Sequence, residues 1–336
     1  MDSRPAPQHV TVMTTARLHM GFLDMHGGLG RRFGSIGLAL EQPATFLTAR
    51  RADDFVAVGP GAPRAVASAR LFAERVDGFK GVHLSVDETI PEHAGLGSGT
   101  QMALAVGTAI SKLYQLPLGL REIAALTERG ARSGIGIGAF AQGGLIVDGG
   151  RGPETVVPPV ISRMHFPEAW RVLLVFDHGG LGVHGTQEIE AFRNLPEFPA
   201  SLAAELCRRV MMQALPAVAE QNLAAFGEAI HEIQCRVGDH FAMAQGGGRY
   251  TSPAVTQVLE WLRSEGVGCV GQSSWGPTGF AVLENESVAR QMLETLQLRY
   301  LGHPGLSFSV TRARNHGSEV HVICEDNVVD TVCSAN

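Results

Sequence analysis

Along the first hundred residues the apolar positions recur mainly with the short period of extended chain. Val82, Leu84 and Val86 alternate with His83 and Ser85, the pattern of a strand with one buried face. His9 to Ala16, with Val10 and Val12, and the apolar stretches Ile36 to Ala49 and Phe55 to Val58 predict further strands. Helical spacing then takes over, predicting helices over residues 99–115 and 119–131, split by Leu116-Pro117-Leu118-Gly119. A glycine-rich block from Ser133 to Gly150 encloses the apolar Leu145-Ile146-Val147. The proline-rich seam from Pro153 to Pro159 is the best domain boundary and divides the chain into 1–157 and 158–336. Beyond it, Trp170 to Phe176 reads as a buried strand ending in Asp177-His178-Gly179-Gly180. Helical patterns follow over 185–193, 200–213, 217–236 and 253–265, then a third glycine-containing segment from Val270 to Gly279. A strand from Phe280 to Leu283, a helix over 286–300 and two late strands complete the chain. Strands and helices are grouped rather than alternating, so the expected class is α+β.

One stretch carries chemistry. Pro91-Glu92-His93-Ala94-Gly95-Leu96-Gly97-Ser98-Gly99-Thr100 runs straight into an Ala-rich apolar helix. Glycines let the backbone approach an anion closely, and the free N–H groups and dipole of a helix start favour phosphate. The stretch lacks the Gly-Lys-Ser/Thr of a Walker loop and the spacing of the dinucleotide fingerprint. A plain glycine turn with Ser98 or Thr100 as helix cap is the blander alternative.

Composition narrows the class. At 336 residues the chain exceeds one comfortable core, and 45% hydrophobic residues are enough for two. A net charge of −6 argues against nonspecific binding of nucleic acid or of an acidic membrane. The 5 cysteines include no C-x-x-C pair, so neither a disulfide framework nor a structural zinc site is expected. Met1 to Gln8 has no apolar core, and no apolar run reaches the ~18 residues of a membrane span. A cytoplasmic enzyme is the expectation.

Taken together, the 91–100 loop, the 133–144 block and the 270–279 segment resemble the GHMP superfamily, named for galactokinase, homoserine kinase, mevalonate kinase and phosphomevalonate kinase. Pro91 to Thr100 matches the family's phosphate loop throughout, and Gly271 to Gly279 fits its third motif more loosely. The resemblance implies a ribosomal-protein-S5-like N-terminal domain and a ferredoxin-like C-terminal domain. It also implies a phosphate site at Gly95, Leu96, Gly97, Ser98, Gly99 and Thr100. One departure stands out. Mevalonate-type members carry Ser-Gly-Ile-Asp ahead of a Gly-Gly pair, whereas this chain reads Ser133-Gly134-Ile135-Gly136 before Gly143-Gly144. Glycine can neither accept a proton nor orient a hydroxyl, so the usual base for phosphoryl transfer is missing.

The N-terminal segment Ala16-Arg17-Leu18-His19-Met20-Gly21-Phe22-Leu23-Asp24, continuing to Gly30-Arg31-Arg32 and Gly37-Leu38-Ala39-Leu40, is similar to a non-kinase branch, the β-ribofuranosylaminobenzene 5′-phosphate synthases. The resemblance implies condensation of phosphoribosyl pyrophosphate with 4-aminobenzoate, releasing carbon dioxide and pyrophosphate, in tetrahydromethanopterin biosynthesis. It implies magnesium as cofactor, with the Ser98 and Thr100 hydroxyls near the metal and Glu92 a weaker ligand. Asp24 and Arg31 are the expected catalytic residues: a carboxylate to stabilise a ribosyl cation or handle a proton, and a guanidinium for a carboxylate or phosphate; the blander alternatives are a turn residue before His26-Gly27-Gly28 and, for Arg31 with Arg32, a solvated loop pair. Arg17, His19 and His184 are expected substrate contacts, and Arg132 and Arg312 are further candidates for the 5′-phosphate. Trp275 either lines the aromatic pocket or is simply buried. A homodimer fits the resemblance. Two other classes stay open: a small-molecule kinase using ATP and magnesium, and a ligand-binding regulator that has lost catalysis.

Overall fold

The computed structural model describes residues 7–180, 185–324 and 327–332. In chain order the elements are β1 (Pro7–Asp24), β2 (Phe33–Ala52), β3 (Phe55–Val58), α1 (Ala62–Ala73), β4 (Gly81–Glu88), α2 (Ser98–Leu113), α3 (Leu120–Leu126), α4 (Ile135–Gln142), β5 (Leu145–Asp148), β6 (Val160–Met164) and β7 (Arg171–Asp177). There follow α5 (Gly185–Asn194), α6 (Ala200–Arg209), α7 (Leu215–Ala219), α8 (Leu223–Phe241), α9 (Pro253–Ser264), β8 (Cys269–Gln272), β9 (Gly279–Leu283), α10 (Glu286–Arg299), β10 (Leu306–Thr311), β11 (Glu319–Cys324) and β12 (Asn327–Val332).

Two sheets organise these elements. The larger runs β12-β11-β1-β2-β4-β3, with β5 and β6 added beside the first half of β2. β6, beyond the proline-rich seam, and β11 and β12 therefore belong to the sheet begun by β1. The smaller sheet has the order β10-β7-β9-β8, all antiparallel. In chain order that is a split βαβ arrangement, the ferredoxin-like pattern. The α+β class is as the sequence indicated.

β1 begins as an ordinary half-buried strand, with His9, Thr11 and Met13 partly exposed and Val10 and Val12 buried. From Thr14 to Met20 nearly every residue is buried, because helices now cover both faces: α2 and α4 on one side, α6 and α8 on the other. α2 is buried almost all round, from Gln101 to Ser111, and serves as the central helix of the first half. Its Ala, Leu and Val side chains pack with α1, β2 and β4 in one cluster, while β1 shares a second cluster with α6, α8 and β9.

Elements depart from the sequence expectation at several points, of which four bear on the packing. α1 lies where no element was assigned, in a stretch read mainly as strands; its buried face is Ala65, Ser68, Ala69 and Phe72, a helical spacing written mostly in small residues. α4 falls inside the glycine-rich block and contains Gly136 and Gly138, residues of poor helix propensity. Packing overrides propensity here, since a Cβ at Gly138 would lie 3.0 Å from Ile146 and Val160. α3 stops at Leu126, short of the expected 131, and Glu128 and Gly130 beyond it take positive φ. The helix expected over 200–213 is interrupted by a π-type turn at Val210–Ala214.

Gln234 of α8 joins the layers. Its side chain donates to the Met20 carbonyl at 2.5 Å and accepts from the Gln272 N–H at 2.7 Å, both buried. Gln234→Leu would strand a carbonyl of β1 and an N–H of β8 without partners. We expect a loss of about 2–4 kcal/mol, read as a shift of the urea midpoint with unchanged slope.

Candidate active site

The 91–100 loop folds as an anion cradle. His93, Gly95 and Gly97 all have positive φ, and Gly97 in the left-handed region is the N-cap of α2. No side chain caps α2 and no acidic residue stands in its first turn, so its leading N–H groups face outward from the helix start. Three arginines close on this point. A Cβ at Gly97 would lie 3.2 Å from Arg17 Cζ, and one at Gly99 would lie 3.5 Å from Arg64 Nη1 and 3.6 Å from Arg129 Nη1. Arg64 donates to Ser98 Oγ at 3.1 Å and pairs with Glu92 at 3.1 Å. Arg129 has its pKa lowered, first by burial and then by the neighbouring Arg64, and its Nε is buried without a partner. Like charges crowded at a helix start call for a polyanion.

The loop is fastened to β1 and to the third glycine segment. The Arg17 N–H donates to the Leu96 carbonyl at 3.1 Å, and Arg17 Nη1 to the Gly95 carbonyl at 2.6 Å. Ser273 Oγ accepts from the His19 N–H at 3.1 Å and donates to the same Gly95 carbonyl at 2.9 Å. The Ser274 N–H returns a bond to the His19 carbonyl at 2.9 Å. Contact here is backbone on backbone: a Cβ at Gly95 would sit 2.2 Å from the Ser273 carbonyl oxygen, and one at Gly276 2.4 Å from the Ala94 carbonyl.

Further along β1 the site turns aromatic. His19 packs edge-on against Phe22 at 4.7 Å, and Phe22 meets Phe33, Phe192 and Phe241 at 5.5, 5.9 and 6.4 Å. Trp275 stacks on Phe192 at 5.0 Å and meets Phe241 edge-on at 4.7 Å. Phe33 holds φ at 75°, a costly conformation for an aromatic residue, at the rim of this group. Arg132 places Cζ 4.7 Å over the Phe192 ring. Beside these rings lies a small cavity of about 30 Å³, lined by His19, Phe22, Phe241, Tyr250, Gln272 and Trp275 among others. Burial, then Arg17, then Arg132 drive the His19 pKa down to about 3, against an opposing hydrogen bond to its own backbone.

The residues singled out from sequence fall into three groups. Arg17, His19 and Gly95 to Thr100 come together. Asp24 ends β1, where its Oδ1 accepts the Gly27 N–H at 2.8 Å, and Arg31 is exposed and donates to the Gly149 and Gly150 carbonyls at 2.8 Å each. The strand from Arg17 to Asp24 sets these groups roughly 23 Å apart at ~3.3 Å per residue. Arg312 is exposed in a groove with Arg171 and Glu286, apart from the loop, and His184 lies outside the described residues.

Gly136 faces α2: its Cβ would lie 2.9 Å from Thr100 Cγ2, and its carbonyl accepts from Gln101 Nε2 at 2.8 Å. An Asp here would point at the anion cradle; the glycine leaves no carboxylate. Asp148 does not take its place. Its carboxylate is buried and accepts from Ser35, from Ser133 at 3.1 Å, from the Gly134 N–H at 3.0 Å and from the Gly150 N–H at 2.8 Å. Burial raises its pKa against those bonds, and the group anchors the start of α4. Sequence reasoning missed Arg64, Arg129 and the phenylalanine cluster, whose members come from β1, β2, α5 and α8. Isolated arginines and scattered phenylalanines gave no local signal.

His19 supplies a test of this geometry. Its folded pKa is depressed from 6.5 to about 3, so the unfolded chain binds a proton that the folded one refuses. Stability contributed by the neutral ring is complete above pH 6.5 and is lost as pH falls toward 3. The expected slope is up to ~1.4 kcal/mol per pH unit in that window. Denaturation midpoints of wild type and His19→Gln across roughly pH 4–7 should differ in slope; parallel curves would contradict the buried neutral ring.

Comparison with known proteins agrees with the geometry. The GHMP kinases N terminal domain matches residues 64–144, and the GHMP kinases C terminal domain matches 214–301. A beta-ribofuranosylphenol 5'-phosphate synthase from Archaeoglobus fulgidus is 34% identical over 328 residues, covering 92% of this chain and 98% of that protein. A protein of the same name from Methanocaldococcus jannaschii is 33% identical, covering 80% and 88%. Among solved structures, mevalonate diphosphate decarboxylase from Staphylococcus aureus superposes with a TM-score of 0.66 at 13% identity, covering 93% of this chain and 98% of the other. Galactokinase from Lactococcus lactis gives 0.65 at 15% identity, covering 92% and 94%. These two likenesses concern the fold. No helix among the described residues is long and apolar enough to cross a membrane. With a glycine loop of the family's form and similarity over nearly its whole length, the chain belongs to the GHMP family, in the branch of the beta-ribofuranosylphenol 5'-phosphate synthases.

Proposed function

We propose that the protein is a pentosyltransferase that joins the ribosyl group of phosphoribosyl pyrophosphate to a para-substituted benzoate, 4-aminobenzoate or 4-hydroxybenzoate, releasing carbon dioxide and pyrophosphate. One observation carries this reading. A cationic phosphate cradle and an aromatic-lined cavity meet on one strand, at Arg17 and His19, with glycine where a phosphoryl-transfer base would stand. The names of the archaeal relatives point the same way.

In the proposed reaction pyrophosphate leaves C1 of the ribose, and its negative charge stays on the start of α2 among Arg17, Arg64 and Arg129. The ring carbon bearing the carboxylate supplies the electron pair for the new carbon–carbon bond. The carbon–carboxylate bond then breaks, its electrons restore the aromatic ring, and carbon dioxide departs without a net proton. No general base is needed at Gly136, which fits the missing side chain. Arg132, whose guanidinium lies over the Phe192 ring, would hold the ring's carboxylate until it leaves. Asp24 and Arg31 stand at the aromatic end of β1. That position favours a role for Asp24 near the ring, and one for Arg31 in holding the loop before β2.

Magnesium belongs to this proposal as a companion of the pyrophosphate. Among the described residues no group of three His, Cys, Asp or Glu side chains could hold a metal. Ser98 and Glu92 already engage Arg64, so the donor set suits an ion that arrives on phosphate oxygens rather than one caged by protein. Ser98 and Thr100 are the hydroxyls that would touch it. When bound, it would further neutralise the leaving group.

Carboxyl-labelled 4-aminobenzoate or 4-hydroxybenzoate, given with magnesium and phosphoribosyl pyrophosphate, should lose label as carbon dioxide with equimolar pyrophosphate release. ATP in place of phosphoribosyl pyrophosphate should release none. Retained label, with ATP consumed on a hydroxyl acceptor, would assign phosphoryl transfer instead. Arg129→Ala should raise KM for phosphoribosyl pyrophosphate by about tenfold or more, the cost of one charge-assisted bond, and leave KM for the ring acid little changed.

A further inference from the structure

The loop that gathers the arginines also brings a carboxylate to them. Arg64, on α1, divides its guanidinium between two partners: Nη1 donates to Ser98 Oγ at 3.1 Å, and Nη2 pairs with Glu92 Oε2 at 3.1 Å. Arg129 differs. Its Nε is buried without a hydrogen bond, and Glu128, beside it in sequence, pairs with Arg75 instead. The first turn of α2 carries no acidic residue, so the negative charge at this helix start comes from Glu92 in the loop before it.

A carboxylate at an anion site works against the ligand. Glu92 repels phosphate by charge, and it occupies an edge of a guanidinium that phosphate oxygens would otherwise take bidentately. Before a ligand arrives the same pair is useful. Burial first, and then Arg64, lower the Arg129 pKa, and the Glu92 carboxylate offsets the charge of that neighbouring Arg64. Arg64 is 25% exposed and Glu92 38%, so the pair is weak enough for a stronger anion to open.

We propose that Glu92 is an internal competitor for Arg64, an assignment that rests on the pyrophosphate site of the proposed function. Its carboxylate holds the guanidinium until pyrophosphate takes it, and recovers it when pyrophosphate leaves. The exchange replaces a carboxylate oxygen by a phosphate oxygen at Arg64 Nη2, while Ser98 can stay on Nη1. Affinity is lowered by the energy of the displaced pair and by repulsion from the carboxylate nearby. Three guanidinium groups at a helix start would otherwise hold the product tightly, and the competitor favours its release.

The test is equilibrium binding of inorganic pyrophosphate, with and without magnesium, to the intact chain by titration calorimetry at low ionic strength. Glu92→Gln keeps the side chain's shape and removes its charge. It should bind pyrophosphate about fivefold more tightly than wild type, the value of one partly exposed ion pair. Arg64→Gln removes the contested group. In that background the further change Glu92→Gln should alter affinity by no more than about twofold. Equal gains in both backgrounds would reduce Glu92 to general repulsion and overturn the assignment, as would no gain in the background that keeps Arg64. A loss of affinity on Glu92→Gln confined to the magnesium titration would place the carboxylate on the metal and overturn it too. In each of these cases the pyrophosphate site stands. Failure of wild type and every variant to bind pyrophosphate would overturn the site itself, and the proposed function with it.

Discussion

The Gly95 carbonyl is the point on which the site depends. It accepts from Arg17 Nη1 and from Ser273 Oγ, and the same Ser273 hydroxyl accepts the His19 N–H. Segments 78 and 178 residues away in sequence are thereby locked to the loop as one surface. The contact works only because glycines stand where backbones touch, at Gly95 and Gly276. A site assembled this way is preorganised: the cationic loop and the aromatic wall hold their relation before any ligand arrives.

Charge is distributed unevenly on the two sides of that lock. The helix start gathers three guanidinium groups with Glu92 as a neighbouring carboxylate, whereas the buried Asp148 is saturated by donors from four residues. The first arrangement leaves positive charge for a ligand to neutralise. The second consumes a negative charge in holding the beginning of α4. Together they leave the helix start cationic, with no carboxylate at Gly136 to offset it.

Much of this was legible in the sequence where the signal is local. The 91–100 loop carries its glycines almost in a row, and the alternation of Val82, Leu84 and Val86 with polar neighbours announces β4 within five residues. Arg17 and His19 were legible because they sit in one short strand motif. What escaped was encoded at long range. α4 reads as loop because Gly136 and Gly138 give it little propensity, and only contact with Thr100, Ile146 and Val160 makes it a helix. Arg64 and Arg129 look like surface residues of separate stretches until the fold brings both to Gly99. The aromatic wall is drawn from four elements, and no window of sequence contains it.

The pairing of β1 with β11 has a consequence for how the chain is made. Val10, Thr11 and Val12 pair with Val322, His321 and Val320, so an early strand waits for a very late one. Until residue 324 has been synthesised, one edge of β1 stays open, with its N–H and C=O groups offered to any passing strand. The first half of the chain can form its helices and its β1–β2 pairing during synthesis, but its larger sheet closes only afterwards. Aggregation through that open edge is the hazard this topology carries, and it is greatest while the polypeptide is still incomplete.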